Sequence, residues 1–446
     1  MDGDGVDLSG SLESMSANTL MVGAIVASSS LASNTLRIGH LCAPLLPNPG
    51  PTSECTVERL QLGNSNQLYA LTRTRGCAAE KFLVREFGTV SALALDRDVE
   101  NAVFARLANL RIAPPLVATF DGGRIEGWLD GRPCSAQECR TPTVYEGVAR
   151  AFAMLHSAPI ETIDPGADPI SCWGWEMADQ WLAGARDCAA CLQRMDGDEM
   201  FGDRDTPDDL HKLTARVRAI DLERIGDELS RLRMELDSRP GVLWRCYCHN
   251  DVSNTNVHRN VDQGTVRLID FEFGGVNLRG FDLATHLSHW AGGALDGCYE
   301  PAAFPTPAER APFLSAYARA SAHNKKRVVT LEQLDAEVRA AAPLVHCVWG
   351  LWALCTLPTA VASGHIGGRF SHIEYAERRL RAFDTALAQW RAEKQVGAAI
   401  VLPPPAASNV QAARRRMTTS TSTRHRASDT FRPDSLGRGS TEGTRW

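Results

Sequence analysis

The sequence has little net charge and no N-terminal hydrophobic run long enough to cross a membrane. Its 47 basic and 53 acidic residues leave a formal charge of -6, whereas nucleic-acid-binding domains usually carry a strong basic excess on one face. The mildly apolar stretch at residues 19–32 is shorter than the ~20 residues that a membrane-spanning helix needs, and serines interrupt it. It also lacks the basic residues that begin a secretory signal. A cytoplasmic protein without a nucleic-acid partner or a membrane span is therefore expected.

The cysteines do not follow the spacing of a disulfide or zinc framework. Their number, 13, is odd, and most of them stand alone in the sequence. The close pairs are Cys188 with Cys191 and Cys246 with Cys248, and no second C-x-x-C lies at zinc-ribbon spacing from the first pair. Reduced thiols are therefore expected, as is usual in a cytosolic enzyme.

What the sequence does contain is a pair of acidic clusters joined by a short, mostly apolar segment. Asp251 is followed five residues later by Asn256, and Asp270 and Glu272 come after the apolar segment. In phosphoryl transfer, one carboxylate orients the attacking hydroxyl, while an Asn and a later Asp hold Mg²⁺ against the nucleotide phosphates. This order predicts Asp251, Asn256 and Asp270 as catalytic residues, and Asn256, Asp270 and Glu272 as Mg²⁺ ligands.

The letters of these clusters differ from those of protein kinases. His249-Asn250-Asp251 stands in place of H-R-D, and Asp270-Phe271-Glu272 in place of D-F-G, which argues against a regulated protein kinase. Together with Asn-Leu-Arg-Gly-Phe-Asp-Leu at 277–283, this form resembles the choline/ethanolamine kinase family. The resemblance covers roughly residues 56–383. Asp282 either caps the helix that begins there or, as the resemblance implies, steadies the catalytic loop from below.

The resemblance implies both a fold and a reaction. The fold is α+β and two-lobed, of the protein-kinase-like type that choline kinases share with aminoglycoside phosphotransferases. Its N-terminal lobe is small and β-rich, and its C-terminal lobe is larger and mostly helical. The reaction is the ATP- and Mg²⁺-dependent phosphorylation of the hydroxyl of ethanolamine or choline, the first step in making phosphatidylethanolamine and phosphatidylcholine.

Composition and resemblance together divide the chain into four parts. Residues 1–50 are rich in Ser, Gly, Asn and Pro and are expected to form a disordered leader. Residues 51–130 would form the nucleotide-binding lobe, and residues 131–400 the catalytic and amino-alcohol-binding lobe. Residues 401–446 are rich in Ser, Thr and Arg and are expected to form a disordered tail.

Two segments of the N-terminal lobe are candidates for binding ATP through the backbone. Gly63, Asn64 and Ser65 lie at the tip of a predicted hairpin, where the family places a loop over the ATP phosphates. The tip is not a G-x-G-x-x-G loop, and a polar tip is typical of any exposed turn. The resemblance also places Ile125 and Trp128 in the hinge segment, whose backbone would bind the adenine edge.

Arg85 and Glu100 are the charged candidates for the ATP site. Arg85 lies in a predicted strand, at the place where protein kinases carry a phosphate-binding Lys, and its planar fork can hold phosphate oxygens in pairs. Glu100 lies in the first turn of a helix predicted over residues 97–109. It either favours the helix dipole there or pairs with Arg85, as the corresponding glutamate pairs with the strand lysine in kinases.

Aromatic residues near the C-terminus are candidates for the amino-alcohol pocket. Trp349 and Trp352 share one helix face, and two such residues belong more often to a core than to a ligand cage. The resemblance implies that they line the pocket with Phe370 and Tyr375, where a desolvated ammonium gains roughly 0.5–2 kcal/mol for each good ring contact. Nearby acids would complete the attraction, and Tyr317 is a further candidate for this pocket.

Two other functions remain open at this stage. One is another small-molecule kinase of the same fold, such as an aminoglycoside-type phosphotransferase, although those enzymes recognise polyamines chiefly with carboxylates. The other is a non-catalytic pseudokinase scaffold, which would be expected to have lost a metal ligand. The predicted partners are ATP and the amino alcohol, and a homodimer is a further candidate assembly. Residues 96–98 and 291–292 look more like the ethanolamine branch of the family, whereas residues 279–282 look more like the choline branch. Because the first two segments are weighted slightly higher, ethanolamine is slightly favoured.

Overall fold

The computed structural model describes residues 31–60, 66–88, 96–196, 207–323, 329–363 and 370–396. Five antiparallel strands form the sheet of the smaller lobe, in the order β1-β2-β3-β5-β4. These strands are β1 Cys55–Leu60, β2 Asn66–Arg75, β3 Ala78–Phe87, β4 Leu116–Phe120 and β5 Gly123–Gly127. Two helices belong to this lobe, α1 Leu31–Cys42 and α2 Arg97–Asn109.

The register of the small sheet determines which charged side chains meet. Across the β3–β5 pair, Arg85 lies directly opposite Arg124, and Leu83 lies opposite Glu126. Like charges in directly opposite positions destabilise a strand pair unless a third group compensates them. Glu126 follows Arg124 by two residues, so that both side chains emerge on the same face of the sheet.

Helix α1 lies inside the segment that composition predicts to be a disordered leader, and that prediction is wrong for residues 31–50. Ile38 and Cys42 are fully buried and pack with Tyr69, Leu71 and other apolar residues of the small sheet. Apolar side chains at helical spacing thus give this segment a face that can be buried, which an average over the polar residues around it conceals. Residues 1–30 and 397–446 lie outside the described part of the chain.

The larger lobe is mostly helical and carries two small sheets. Its helices are α3 Ala136–Cys139, α4 Pro142–Ser157, α5 Ile160–Ile163, α6 Trp173–Asp196, α7 Pro207–Arg218, α8 Leu222–Asp237, α9 Arg279–Ser288, α10 Pro307–His323, α11 Leu331–Ala362 and α12 His372–Val396. Its strands are β6 Arg132–Pro133, β7 Arg245–Cys248, β8 Val257–Asn260, β9 Thr265–Leu268 and β10 Gly275–Leu278. β7 pairs with β10, and β6, β8 and β9 form a three-stranded sheet. This architecture confirms the predicted two-lobed α+β fold.

The connection between the lobes requires a glycine. The last strand of the small sheet ends at Gly127, and the next strand begins at Arg132 and pairs with β8 of the larger lobe. Gly131 between them has a φ of +124, and a Cβ atom at this position would lie 2.2 Å from the carbonyl oxygen of Arg259. Only glycine fits a backbone of this conformation at so close an approach.

Helix α11 forms the centre of the larger lobe. By length and composition alone this 32-residue helix could span a membrane, but 83% of its apolar window is buried inside the fold. It packs mainly against α12, α6 and α9, and Pro343 and Pro358 lie within it. The helix is therefore placed as a core helix, and it carries Trp349 and Trp352 to the aromatic cluster described below.

The position of α1 predicts an asymmetric effect of two substitutions on the same helix. Ile38→Ala should lower the free energy of unfolding by about 2–5 kcal/mol, since it truncates a fully buried side chain. Leu36→Ala is the matched control, because Leu36 is 66% exposed, and it should change stability by no more than about 0.5 kcal/mol. Urea unfolding of both variants measures the difference. Equal stabilities would mean that α1 does not pack on the sheet.

Candidate active site

The loop between β7 and β8 brings the two predicted residues Asp251 and Asn256 into contact. Asn256 lies in a single 3₁₀ turn, and its Nδ2 donates to the backbone oxygen of Asp251 at 2.8 Å and to Asp251 Oδ2 at 3.0 Å. These bonds use the amide nitrogen of Asn256. Its amide oxygen is therefore the atom that can ligate a cation.

Asp282, in the first turn of α9, holds the start of this loop. The backbone nitrogens of His249 and Asn250 donate to its two carboxylate oxygens at 2.8 Å and 2.6 Å. Asn250 has a φ of 69, a left-handed conformation that Asn tolerates better than most residues. The Asp282 carboxylate also bonds to Nε2 of His156 at 3.0 Å. The geometry is that of a residue steadying the loop from below, as the resemblance implied.

Tyr317 lies beneath the catalytic loop, and its prediction as a pocket residue is wrong. Its side chain is buried, and its hydroxyl lies 3.0 Å from Nδ1 of His156. Its ring faces the guanidinium of Arg279 at 5.9 Å. A buried Tyr hydroxyl needs a hydrogen-bond partner, and the packing of α10 against α4 turns Tyr317 toward the one that His156 provides.

His286, on α9, supports the same loop from a buried position. Its Nδ1 lies 3.3 Å from the backbone oxygen of Val252, and its Nε2 accepts from Trp290 Nε1 at 3.3 Å. This arrangement requires a neutral ring with its proton on Nδ1. Burial lowers the pKa of His286 to about 4.

Three carboxylates, Asp251, Asp270 and Glu272, form the acidic centre of the site. Burial, and then the charges of Asp270 and Glu272, raise the pKa of Asp251 well above its ordinary range. Burial and the charge of Asp270 likewise raise the pKa of Glu272 to about 7. Burial and mutual repulsion thus both oppose ionisation of these carboxylates, and their oxygens are the hard donors that Mg²⁺ prefers. The residues present therefore fit a divalent cation.

The smaller lobe contributes cations and amides to this centre. Arg85 Nη1 donates to Asp270 Oδ1 at 2.8 Å, and Asn66 Nδ2 donates to Glu272 Oε2 at 3.1 Å. Arg97 Nη1 lies 3.6 Å from the same Glu272 oxygen. Asn66 and Arg97 are contacts that sequence reasoning missed, because no motif marks them.

Arg85 does not pair with Glu100, so that this alternative for Glu100 is wrong. Arg85 Nε donates instead to Glu126 Oε1 at 3.0 Å. Glu100 pairs with Arg124, whose Nη1 lies 2.7 Å from Glu100 Oε1, and with Arg97. The register of the sheet explains this difference. It places Arg124 opposite Arg85, and Arg124 is the residue that donates to Glu100 on the helix. Glu100 keeps its favourable place in the first turn of α2.

The remaining candidates for nucleotide binding are only partly described. Gly63, Asn64 and Ser65 lie outside the described residues. The side chain of Ile125 is fully buried in the small lobe's core, so that only its backbone could face adenine. Trp128 follows β5 and is half-buried, with Lys81 Nζ 5.5 Å from its ring centroid. The roles of these residues in binding ATP stay predictions.

The four predicted aromatic residues lie in one cluster. The ring centroids of Trp349 and Trp352 are 5.8 Å apart, those of Trp352 and Phe370 6.0 Å, and those of Phe370 and Tyr375 5.2 Å. Trp349 is only 4% exposed, whereas Trp352 is partly exposed. Trp349 therefore belongs to the core as well as to the cluster, and Trp352 is the better candidate for direct contact with a ligand.

Several further aromatic residues extend this cluster toward the acidic centre. Phe273 lies one residue beyond Glu272 and contacts Trp349 with ring centroids 5.7 Å apart. Trp173 and Trp181 on α6 pack against both Phe273 and Trp349. The signal for Phe273 was its place beside the second acidic cluster, but nothing in the sequence marked α6 as its neighbour.

A buried cation lies against Tyr375, whereas the resemblance implies acids around the pocket. The buried guanidinium of Arg379 lies 4.9 Å from the Tyr375 ring centroid and 4.1 Å from that of Tyr299. In the described part of the chain it donates to neutral groups, Ser288 Oγ at 3.0 Å and His346 Nδ1 at 3.1 Å. Burial and the charge of Arg379 hold the pKa of His346 well below its usual value. Burial and the nearby charge of Asp251 raise the pKa of Tyr375, so that this side of the cluster lies within reach of the catalytic carboxylate.

Comparison with known proteins gives a consistent result. A family model described as choline/ethanolamine kinase matches residues 57–384. A choline/ethanolamine kinase of Rattus norvegicus is 26% identical over 328 residues, which cover 69% of this chain and 73% of that protein. A probable ethanolamine kinase of Arabidopsis thaliana is 23% identical, with 71% and 78% covered. A solved ethanolamine kinase of Plasmodium vivax has the same fold, with a TM-score of 0.63, 18% identity, and 84% and 94% covered.

The neutral state of His286 predicts a loss of stability in mild acid. The unfolded state takes up a proton near pH 6.5, whereas the folded state resists protonation until about pH 4. The free energy of unfolding should therefore fall as the pH drops through this window, by up to about 1.4 kcal/mol per pH unit for this residue. Stability is not affected by this group above the window.

The variant that tests this effect is His286→Gln, whose amide can both donate to Val252 and accept from Trp290. Its stability should depend less steeply on pH between about 4 and 6.5 than that of the parent chain. Urea unfolding at several pH values measures the slope. The same substitution at exposed His40 is the control for the loss of one histidine. An unchanged slope in His286→Gln would assign the acid sensitivity to other groups.

Proposed function

Because the chain belongs to the choline/ethanolamine kinase family, we propose that it transfers the γ-phosphoryl group of ATP to the hydroxyl of ethanolamine or choline. The observation that carries this proposal is the contact between Asp251 and Asn256 beside Asp270 and Glu272. None of the predicted metal ligands is missing, which argues against a non-catalytic scaffold. The cluster of Trp352, Phe370 and Tyr375 argues against a polyamine antibiotic as the acceptor, since enzymes that modify such compounds recognise them chiefly with carboxylates.

On the acceptor side, Asp251 receives the proton of the substrate hydroxyl. Asn256 holds one oxygen of the carboxylate, which fixes the orientation of the group. Burial is the main cause that raises the pKa of Asp251, and a more basic carboxylate is a better proton acceptor. The hydroxyl oxygen then attacks the γ-phosphorus, the bond to the bridging oxygen breaks, and ADP leaves.

On the nucleotide side, Asn256, Asp270 and Glu272 would hold Mg²⁺ through their side-chain oxygens. When bound, the cation neutralises charge on the nucleotide phosphates. Arg85 is fixed by Glu126 and Asp270, and its guanidinium group supplies a permanent positive charge at the same place. Its planar group can bind two phosphate oxygens at once, which a lysine cannot do.

The amino-alcohol headgroup would bind at the face of the aromatic cluster that includes Trp352. A quaternary ammonium has no N–H donors and relies on ring faces, whereas a primary ammonium also requires acceptors. The relatives carry both substrate names, so that the preference is a proposal. A cytoplasmic location and a homodimer also remain predictions from the sequence.

Removing the proposed base should lower turnover without removing nucleotide binding. Asp251→Asn should reduce kcat by at least about 10²-fold, the scale of a lost general base, and leave the KM for ATP nearly unchanged. Steady-state kinetics with ADP detection measures both constants. Asp262→Asn, at an exposed turn between β8 and β9, is the matched control and should retain full turnover. Near-normal turnover of Asp251→Asn would remove this residue from the catalytic role.

A comparison of two amino alcohols tests the acceptor assignment. ATP consumption should require Mg²⁺ and either ethanolamine or choline, and we expect kcat/KM for ethanolamine to equal or exceed that for choline. Trp352→Ala should raise the KM for the alcohol and spare the KM for ATP, since one ring face is lost. A preference for choline of more than about tenfold, or roughly 1.4 kcal/mol in transition-state binding, would contradict the expected preference for ethanolamine. Turnover of neither alcohol would contradict the function itself.

A further inference from the structure

Five charged side chains of alternating sign run from helix α2 through the small sheet to the acidic centre. They are, in order, Glu100, Arg124, Glu126, Arg85 and Asp270. Successive members are joined by contacts of 2.7, 2.8, 3.0 and 2.8 Å. These five side chains therefore connect a helix of one lobe with a predicted metal ligand of the other through charge-assisted hydrogen bonds.

Glu126 is the middle member of these five side chains, and both arginines bond to it. Its Oε1 accepts from Arg85 Nε at 3.0 Å and from Arg124 Nε at 2.8 Å. The side chains of Arg85, Arg124 and Glu126 are 4%, 0% and 2% exposed. Water cannot screen the two opposed guanidinium groups at this depth, so that the Glu126 carboxylate is what allows them to lie side by side.

Arg124 is bound to Glu126 through Nε and to helix α2 through the far side of its guanidinium group. Its Nη1 donates to Glu100 Oε1 at 2.7 Å, and its guanidinium carbon lies 4.0 Å from the centroid of the Phe104 ring. Both partners belong to α2. Arg124 thus joins β5 to the helix and leaves Glu126 with little freedom to move.

The bonds of Glu126 also fix the direction of Arg85. A guanidinium group that is bound at Nε by one carboxylate and at Nη1 by another cannot turn without breaking at least one of these two bonds. Burial opposes ionisation of Glu126, but the two arginines outweigh it and hold its pKa below the ordinary value. The carboxylate is therefore charged whenever the protein is folded near neutral pH.

We propose that Glu126, held in place by Arg124, is the positioning residue that directs Arg85 toward Asp270 and the nucleotide phosphates. Glu100 then acts on Arg85 only through Arg124 and Glu126, and not by direct pairing. This inference rests on the proposed role of Arg85 in binding ATP. It adds Arg124 and Glu126 to the residues that determine how the nucleotide is held.

The test is Glu126→Gln, which keeps the shape of the side chain and removes its charge. We expect the KM for ATP to rise by at least about tenfold and kcat to fall, while the KM for the amino alcohol changes by less than about twofold. The dissociation constant of ATP, measured by calorimetric titration, should rise with the KM. An unchanged affinity for ATP would overturn the proposal.

Glu337→Gln is the matched control for the loss of one buried carboxylate. Glu337 is buried and bonds to Arg279 at 2.8 and 2.6 Å in the larger lobe. Its replacement should lower the Tm, as Glu126→Gln does, but should leave the affinity for ATP unchanged. Equal loss of ATP affinity in both variants would mean that Glu126 has only a structural role.

A second variant, Glu100→Gln, distinguishes an indirect effect of Glu100 on Arg85, through Arg124 and Glu126, from direct pairing. It remains informative if Glu126→Gln fails to fold. Under the proposal it should raise the KM for ATP by less than about threefold, because Glu126 still holds Arg85. A rise of about tenfold or more would indicate direct dependence of Arg85 on Glu100 and overturn the proposal. The function itself is tested separately, since a parent chain that consumes no ATP would refute the kinase assignment and not the geometry.

Discussion

The catalytic loop depends on one buried carboxylate, that of Asp282. Two consecutive backbone nitrogens, those of His249 and Asn250, donate to it, and a histidine bonds to it from the other side. These bonds hold Asn250 in a left-handed conformation that the chain would otherwise seldom adopt. Asp251 follows directly, so that its position is a consequence of the Asp282 contacts. His156 bonds to Asp282 through one ring nitrogen and to Tyr317 through the other, and these contacts hold the Asp282 side chain in place.

The acidic centre and the two-lobed fold could be predicted because they depend on order along the chain. The spacing of Asp251, Asn256 and Asp270 is local information, and the structure places the first two in direct contact. The partner of Arg85 could not be predicted in the same way. Whether Glu100 or Glu126 reaches it depends on the register of β3 and β5, which a single sequence does not specify. The position of Tyr317 could not be predicted for a similar reason. The rotation of α10 about its axis, which a single sequence does not specify, turns Tyr317 toward His156 and away from the aromatic cluster.

The error at α1 has a different origin. Polar residues and prolines dominate the average composition of the segment before residue 50, which is why composition predicts disorder there. A short amphipathic helix needs only a few apolar positions on one face to be held against a sheet, and Ile38 and Cys42 provide them. At the aromatic cluster, by contrast, the two alternatives of core and ligand cage do not exclude each other. Trp349 packs into the core, and Trp352, one turn later, reaches the partly exposed side.

The burial of α11 has a consequence for how the protein is made. This helix precedes α12, its principal packing partner, in the chain, so that a ribosome delivers the most apolar helix before the surface that covers it. Until α12 has emerged, the growing chain exposes apolar area of the kind that chaperones bind and that drives aggregation. Shortened chains that end between these two helices would keep that area uncovered permanently. Cellular quality control would therefore encounter such products as misfolded proteins, however complete their catalytic residues are.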